Sequence, residues 1–124
     1  MRLILLLFFS IVAADASQDH CDCANMNLSA SVILEMIQNN ETVYCKNVSI
    51  NGNLDINKDI SIVKSSILIC DSYLNGELDF SNKSFENIVA FNNTTFIENA
   101  SFQSSCFARL ADFSQSKFKR EANC

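Results

Sequence analysis

The chain has 124 residues, six cysteines, no proline, two glycines and a formal net charge of −5. That length sets one domain, and the acidity disfavours nonspecific binding to nucleic acid or to an anionic membrane surface. A single histidine, His20, is all that histidine-based acid–base or nucleophilic catalysis would have to rest on.

Residues 1–16, MRLILLLFFSIVAADA, read as a cleaved secretory signal. One arginine precedes an apolar run from Leu3 to Ala14, and Ala14 and Ala16 supply a small-x-small cleavage pattern. The run is shorter than a membrane span, although an uncleaved anchor is the alternative. No later segment is long and apolar enough to cross a bilayer, so the mature chain of about 108 residues is expected outside the cytoplasm, secreted or at the cell surface. The signal removes Arg2 and Asp15 together, which leaves the charge at −5.

Residues 17–44 form an N-terminal arm and helix. The run His20-Cys21-Asp22-Cys23 offers soft metal ligands at close spacing. A zinc site wants a second ligand pair, and none with such spacing follows, so disulfides are favoured over metal. Within SASVILEMIQNN, Val32, Ile33, Met36 and Ile37 form an amphipathic stripe that predicts a helix over about 31–39. Ser29 or Ser31 can cap its start and Asn39–Asn40 can end it. Its expected role is to cover the open end of the structure that follows, as terminal caps of repeat proteins do; a binding helix for another protein is the alternative.

That following structure is a repeat. Phe80, Phe85, Phe91, Phe96, Phe102, Phe107, Phe113 and Phe118 are separated by gaps that alternate 5 and 6. In elevens the chain reads FSNKSFENIVA, FNNTTFIENAS, FQSSCFARLAD, FSQSKFKREAN and then Cys124. Lys83, Thr94, Ser105 and Ser116 stand two places before one Phe of each unit, and Val89, Ala100 and Ala111 two places before the next, with Ala122 in the same position before Cys124. Residues two apart on a strand share a face. A large residue with a usually small partner therefore points into a narrow interior, and the polar residues between them face water. An eleven-residue period can also wind a helical supercoil. At about 100° per residue, however, these gaps put successive Phe roughly 120–140° apart, so no helical stripe forms.

On these residues the chain resembles the pentapeptide-repeat family, which has a central Leu or Phe, a small residue two places earlier and polar residues between. NASF (99–102), FARLADF (107–113) and KREANC (119–124) look like its tandem units, in the variant where five- and six-residue units alternate. The resemblance implies an all-β fold, a right-handed quadrilateral β-helix with four short faces per coil and about 22 residues per coil. The phase extends upstream through Leu74 and Ile69. CKNVSINGNLDI (45–56) then matches ICDSYLNGELDF (69–80) at an offset of 24, placing Cys45, Ile50 and Ile56 in the inward columns of Ile69, Leu74 and Phe80. The β-helix is thus expected over 45–124, three to four coils, with the two extra residues in a bulge or loop near Asn57–Asp59. Lys83 departs from the pattern. A buried unpaired ammonium is costly, so that corner is either distorted or the lysine reaches out to water.

Six cysteines in an exported chain point to disulfides. Fifteen pairings exist for Cys21, Cys23, Cys45, Cys70, Cys106 and Cys124, and sequence alone does not choose. Cys45 is expected inward beside Ile69, with Cys70 facing out. Cys21 and Cys23 are placed to serve different partners, one of them reaching Cys45 or Cys70. Cys106 and Cys124 pair across one coil or between chains. Asn27, Asn40, Asn47, Asn82, Asn92, Asn93 and Asn99 stand in N-x-[ST] sequons and are glycosylation candidates in an exported chain. A repeat rich in Asn and Ser also generates sequons by composition. Asn92 and Asn93 fall at the turn after Phe91, where exposed side chains are expected.

No motif calls for a cofactor or a metal, and no outward column repeats a charged or aromatic type. The leading expectation is a non-catalytic structural or binding module of the cell surface or envelope. Its partner is another protein or a second copy, met at the C-terminal end, where Arg109, Lys117, Lys119 and Arg120 gather and where a coil end leaves backbone groups unpaired. A longer repeat protein of which this chain is a piece is the other way to satisfy that end. The resemblance also implies an alternative, an acidic rod that binds DNA-handling enzymes such as gyrase by DNA-like shape and charge. The signal argues against it, because such targets are cytosolic. As a third reading, glycoside hydrolysis would rest on carboxylate pairs such as Glu77 and Asp79, which share a face as many pairs here do.

Overall fold

The computed structural model describes residues 26–123, and its short strands line up in four parallel sheets. The first face holds Ile62–Val63, Ser84–Phe85 and Cys106–Phe107. The second holds Val43–Lys46, Ile67–Cys70, Val89–Asn92 and Ala111–Asp112. The third holds Met26–Ser29, Val48–Asn51, Tyr73–Leu74, Thr95–Phe96 and Lys117–Phe118. The fourth holds Leu54–Asp55, Leu78–Asp79, Ala100–Ser101 and Ala122–Asn123. The chain visits the second, third, fourth and first faces in turn, so it winds as a β-solenoid of about four turns.

The register reproduces the spacing read from the sequence. Phe85 pairs with Phe107 and Phe96 with Phe118, each 22 residues on, while Cys45 pairs with Ile69 and Ile50 with Leu74, each 24 on. The change falls between the Asp55–Asp79 pair and the Ile62–Ser84 pair. The two extra residues therefore sit in the loop after Ile56. There the Ile60 N–H donates to the Asn57 carbonyl at 2.9 Å and the Asp59 N–H to Asn57 Oδ1 at 2.8 Å.

One feature of the five-residue gaps is absent from the sequence reading. Asn82, Asn93, Ser104 and Gln115 fall eleven apart, and all have φ near +55°. Asp71 and Asn47 continue the series in the earlier coils with φ of 53° and 57°. Left-handed backbone is tolerated best by Gly, Asn and Asp, and it turns the chain sharply enough to cut a corner one residue shorter. Next to it comes the small inward residue, and the structure shows why a hydroxyl suits the place. The Ser72 hydroxyl donates to the Cys70 carbonyl at 2.7 Å and accepts from the Val48 N–H at 3.2 Å. Thr94 Oγ1 donates to the Ile69 carbonyl of the coil before it at 3.2 Å, and Ser116 Oγ to the Phe91 carbonyl. Ser105 Oγ does the same for the Phe80 carbonyl. These side chains satisfy corner backbone groups that no strand partner reaches.

Inside, aromatic rings stack coil upon coil. Phe85 and Phe107 lie 5.2 Å apart at 9°, Phe91 and Phe113 5.8 Å at 9°, and Phe96 and Phe118 4.5 Å at 5°. Phe80 and Phe102 meet edge-on at 5.9 Å and 87°. Ile50, Ile56, Ile69, Leu74, Phe80, Phe85, Phe91, Phe96 and Phe102 are buried, as expected for inward columns. The small partner is kept in the later coils, by Ala111 on the second face and Ala100 and Ala122 on the fourth, but in the earlier coils those columns hold the large, buried Val43, Ile67, Val89, Leu54 and Leu78. Phe118 also departs from its expected place. It is 37% exposed, and Phe107 and Phe113 are only half-buried, because among the described residues nothing stacks on the last turn.

At the other end lies the helix, Ala30–Gln38, one residue earlier than predicted. Ser29 caps it by accepting from the Ser31 N–H at 3.3 Å. Ala30, Ile33, Met36 and Ile37 are buried and join the solenoid's core. The strand Met26–Ser29, unforeseen in the arm, extends the third face by pairing with Val48–Asn51. The two glycines, Gly52 and Gly76, stack at one corner beneath this cap. A Cβ on Gly76 would run into the Gly52 carbonyl, and Gly52 itself has φ +101°. No helix among the described residues is long and apolar enough to cross a membrane.

A stacked interior predicts a gradient along the solenoid axis. Phe91→Ala opens a cavity between three layers and is expected to cost about 3–5 kcal/mol. Phe118→Ala loses one exposed stacking contact and is expected to cost about 1 kcal/mol. Urea denaturation of the two variants checks this, and equal losses would show that the last coil is as tightly packed as the middle.

Candidate functional site

Four places break the regular solenoid surface. The first is the corner where Lys83 replaces a small residue. Lys83 is 6% exposed, and its ammonium donates to the Asn57 carbonyl at 2.9 Å. The unusual lysine and the two-residue insertion are thus one feature: the longer loop turns a carbonyl inward to meet the ammonium. The corner resolves the sequence-level alternatives in a third way, since the lysine neither distorts a regular corner nor points to water. Asp55 and Asp79 line the ≈ 440 Å³ cleft beside it, together with Lys58 and Ser81.

The second is the carboxylate pair. Glu77 and Asp79 are both exposed on the fourth face. Asp79 Oδ1 accepts from the Ser81 hydroxyl at 2.5 Å and from the Ser81 N–H at 3.1 Å, and the Glu77 N–H donates to Asn53 Oδ1 at 2.8 Å. These bonds close a turn and join two coils. Asp112 repeats the turn in the final coil. The Ser114 hydroxyl first, and its N–H second, hold the Asp112 carboxyl below the usual carboxylate range.

The third is the final coil. Phe118, Leu110 and the half-buried Phe107 and Phe113 present apolar surface, and Ala111–Asp112, Lys117–Phe118 and Ala122–Asn123 each pair with a strand on one side only among the described residues. Arg109, Lys117, Lys119 and Arg120 are exposed around it. Arg120 Nε lies 3.4 Å from Glu98 Oε1 of the preceding coil, beside a groove of ≈ 590 Å³.

The fourth is the outer surface of the second face, with the cysteines. Cys45 is fully buried and points inward, and Cys70 lies half-buried on the outside, as expected. Cys106 is exposed on the first face, and no disulfide joins any two of these three. His20, Cys21, Cys23 and Cys124 and the signal segment lie outside the described residues. Among the sequon residues, Asn27, Asn40, Asn47, Asn82, Asn93 and Asn99 are exposed. Asn92 corrects the expectation for the Phe91 turn: it is half-buried and its Oδ1 is sealed from solvent without a partner, because it ends a strand of the second face and the exposed turn begins only at Asn93. Compared with protein-family models, curated proteins and solved structures, the chain finds no match.

Two expectations follow. Lys83→Ala removes the capping of Asn57 and leaves a void, and should cost about 2 kcal/mol in chemical denaturation. Lys83→Met keeps the packed stem and should cost less than about 1 kcal/mol; a Met variant as damaged as the Ala variant would show that the charge, rather than the stem, holds the loop. Asp112 sets a pH limit. Because its folded-state pKa is lowered, its stabilisation is present above the ordinary carboxylate pKa of about 3.9 and is lost as pH falls through the folded value. The protection of the Ser114 amide, its exchange rate relative to the intrinsic rate at each pH, should therefore fall only below about pH 4, and Asp112→Asn should remove that step.

Proposed function

We propose that this chain is an exported pentapeptide-repeat protein, a non-catalytic structural or binding module of the cell surface or envelope, that self-associates through its final coil. The observation that carries the reading is the asymmetry of the two ends. The helix lays Ile33, Met36 and Ile37 over the first coil, whereas among the described residues the strands of the final coil pair on one side only and Phe118 is exposed. Exposed parallel edges are templates for further pairing. A head-to-tail stack would need the first coil's edges, and the helix occupies that end. The remaining arrangement is isologous, final coil against final coil about a two-fold axis. The final coil carries both signs of charge, Arg109, Lys117 and Lys119 with Asp112 and Glu121, so a two-fold operation can bring opposite charges together.

Nothing in this reading asks for catalysis. Asp79 is engaged by Ser81, and the outer columns of the faces carry mixed polar residues rather than a repeated ligand. The signal, the even cysteine count and the sequons support export. Two measurements test the two halves separately. Intact mass of protein recovered outside the cytoplasm should begin at Ser17, and a retained Met1 refutes export. Sedimentation equilibrium should give a dimer that Phe118→Asp weakens at least tenfold, and a monomer at every concentration refutes self-association.

A further inference from the structure

Lys83 is the one buried charged side chain among the described residues. Elsewhere in its column Thr94, Ser105 and Ser116 cap a carbonyl of an earlier coil with a hydroxyl. A regular corner therefore needs neither the lysine nor the two-residue loop that meets it. Together these two departures border the cleft of ≈ 440 Å³ beside the fourth face. Asp55 and Asp79 bring two carboxylates to it, as register partners on adjacent strands about 4.8 Å apart. Lys58, from the loop after Ile56, and Lys83 bring two ammonium groups. Among the described residues the one ion pair is Arg120 with Glu98, so the four charges line a common space without closing on one another. Bonding capacity is left over on both sides. The Asn57 carbonyl takes one of the three N–H donors of the Lys83 ammonium. Ser81 occupies only Oδ1 of Asp79.

We propose that this cleft binds a small zwitterion, an ammonium and a carboxylate carried on one short backbone as in a free amino acid or a dipeptide. The ligand's carboxylate meets Lys83 and Lys58, and its ammonium meets Asp55 and Asp79. Ligands of a single charge fit worse. An anion would face the two aspartates, and a cation would leave the Lys83 ammonium, on a residue only 6% exposed, without a counter-charge. Buried charge is stabilised by an opposite charge close by, and a zwitterion supplies one to each pair. A sugar would find no aromatic ring among the lining residues to stack on. The volume lies within the range of small-ligand pockets, about 300–1,000 Å³. Ile56, buried beneath, gives the cleft a floor held by the core. The inference is independent of self-association, because the cleft is built by residues 55–83 and the final coil begins at Cys106–Phe107. It is equally independent of export.

The test is a titration of isotope-labelled full-length chain with glycylglycine at fixed ionic strength, followed by amide chemical shifts. Saturable shifts are expected at Lys58, Ser81, Asn82 and Lys83. Sodium acetate and ethylammonium chloride, each carrying half of the ligand's charge pattern, should bind at least tenfold more weakly. Lys83→Met keeps the packed stem and should weaken glycylglycine binding at least fivefold. Asp55→Asn changes an exposed side chain and leaves the pairing of its strand intact; it should weaken binding by a similar factor, and it carries the test if Lys83→Met fails to fold. A titration without saturable shifts, shifts confined to other residues, acetate or ethylammonium binding as tightly as glycylglycine, or a folded variant that binds like the parent chain overturns the proposal.

Discussion

Every coil of this solenoid depends on the coils beside it for its backbone hydrogen bonds. The Val89 N–H donates to the Leu110 carbonyl and the Ile67 N–H to the Ile88 carbonyl, each reaching into the next coil, and hardly any bond outside the helix closes within a coil. A peptide group buried without a partner costs as much as a lost hydrogen bond, so a coil that slips against its neighbour loses a whole row at once. Length per coil is therefore the controlled quantity. An insertion is tolerated only where the chain can leave the row, and the loop after Ile56 is such a place: the strands on either side keep their partners while the offset changes from 24 to 22.

Corner chemistry follows from the same constraint. Alternating steps of five and six keep each face in register only if the shorter corner turns more sharply, and the left-handed residues at Asn47, Asp71, Asn82, Asn93, Ser104 and Gln115 provide that. A sharp corner strips neighbouring carbonyls of strand partners. Ser72, Thr94, Ser105 and Ser116 restore them through hydroxyls that are short enough to stay inside. Lys83 solves the same problem at the one corner where the coil before it has been lengthened. There a four-carbon stem with an ammonium at its tip meets the Asn57 carbonyl in place of a hydroxyl.

The interior and the period were legible in the sequence because both depend on large side chains at fixed spacing. The Phe series, the match between 45–56 and 69–80, the loop near Asn57 and the helix cap all appear where the spacing puts them. Less legible were features that depend on what lies above or below a residue. Phe118 carries the same pattern as Phe96, and only the absence of a layer over it among the described residues makes it exposed. The strand Met26–Ser29 has no repeat signature of its own and is recruited by the edge of Val48–Asn51. The left-handed series could have been found, since Asn, Asp, Ser or Gln recurs two places after one Phe of each unit, but polar residues at a corner look alike until the backbone is seen.

Regularity also says where function can reside. A solenoid whose faces were all equivalent and solvated would offer a partner nothing to distinguish one coil from the next. Here the equivalence is broken at the axis ends and on one side. Among the described residues a helix closes the first coil and nothing stacks on the last, so the two ends differ. The second face buries the outward Ala90 at 7% exposure while Ile62 and Tyr73 on the first and third faces stay exposed, so the four sides are not interchangeable. Both breaks expose apolar groups or bury polar ones against the tendency of the repeat, and neither is needed to keep the coils in register. Departures that the fold does not require, such as the exposed Phe118 and Leu110 of the final coil, are the features by which one coil differs from the next.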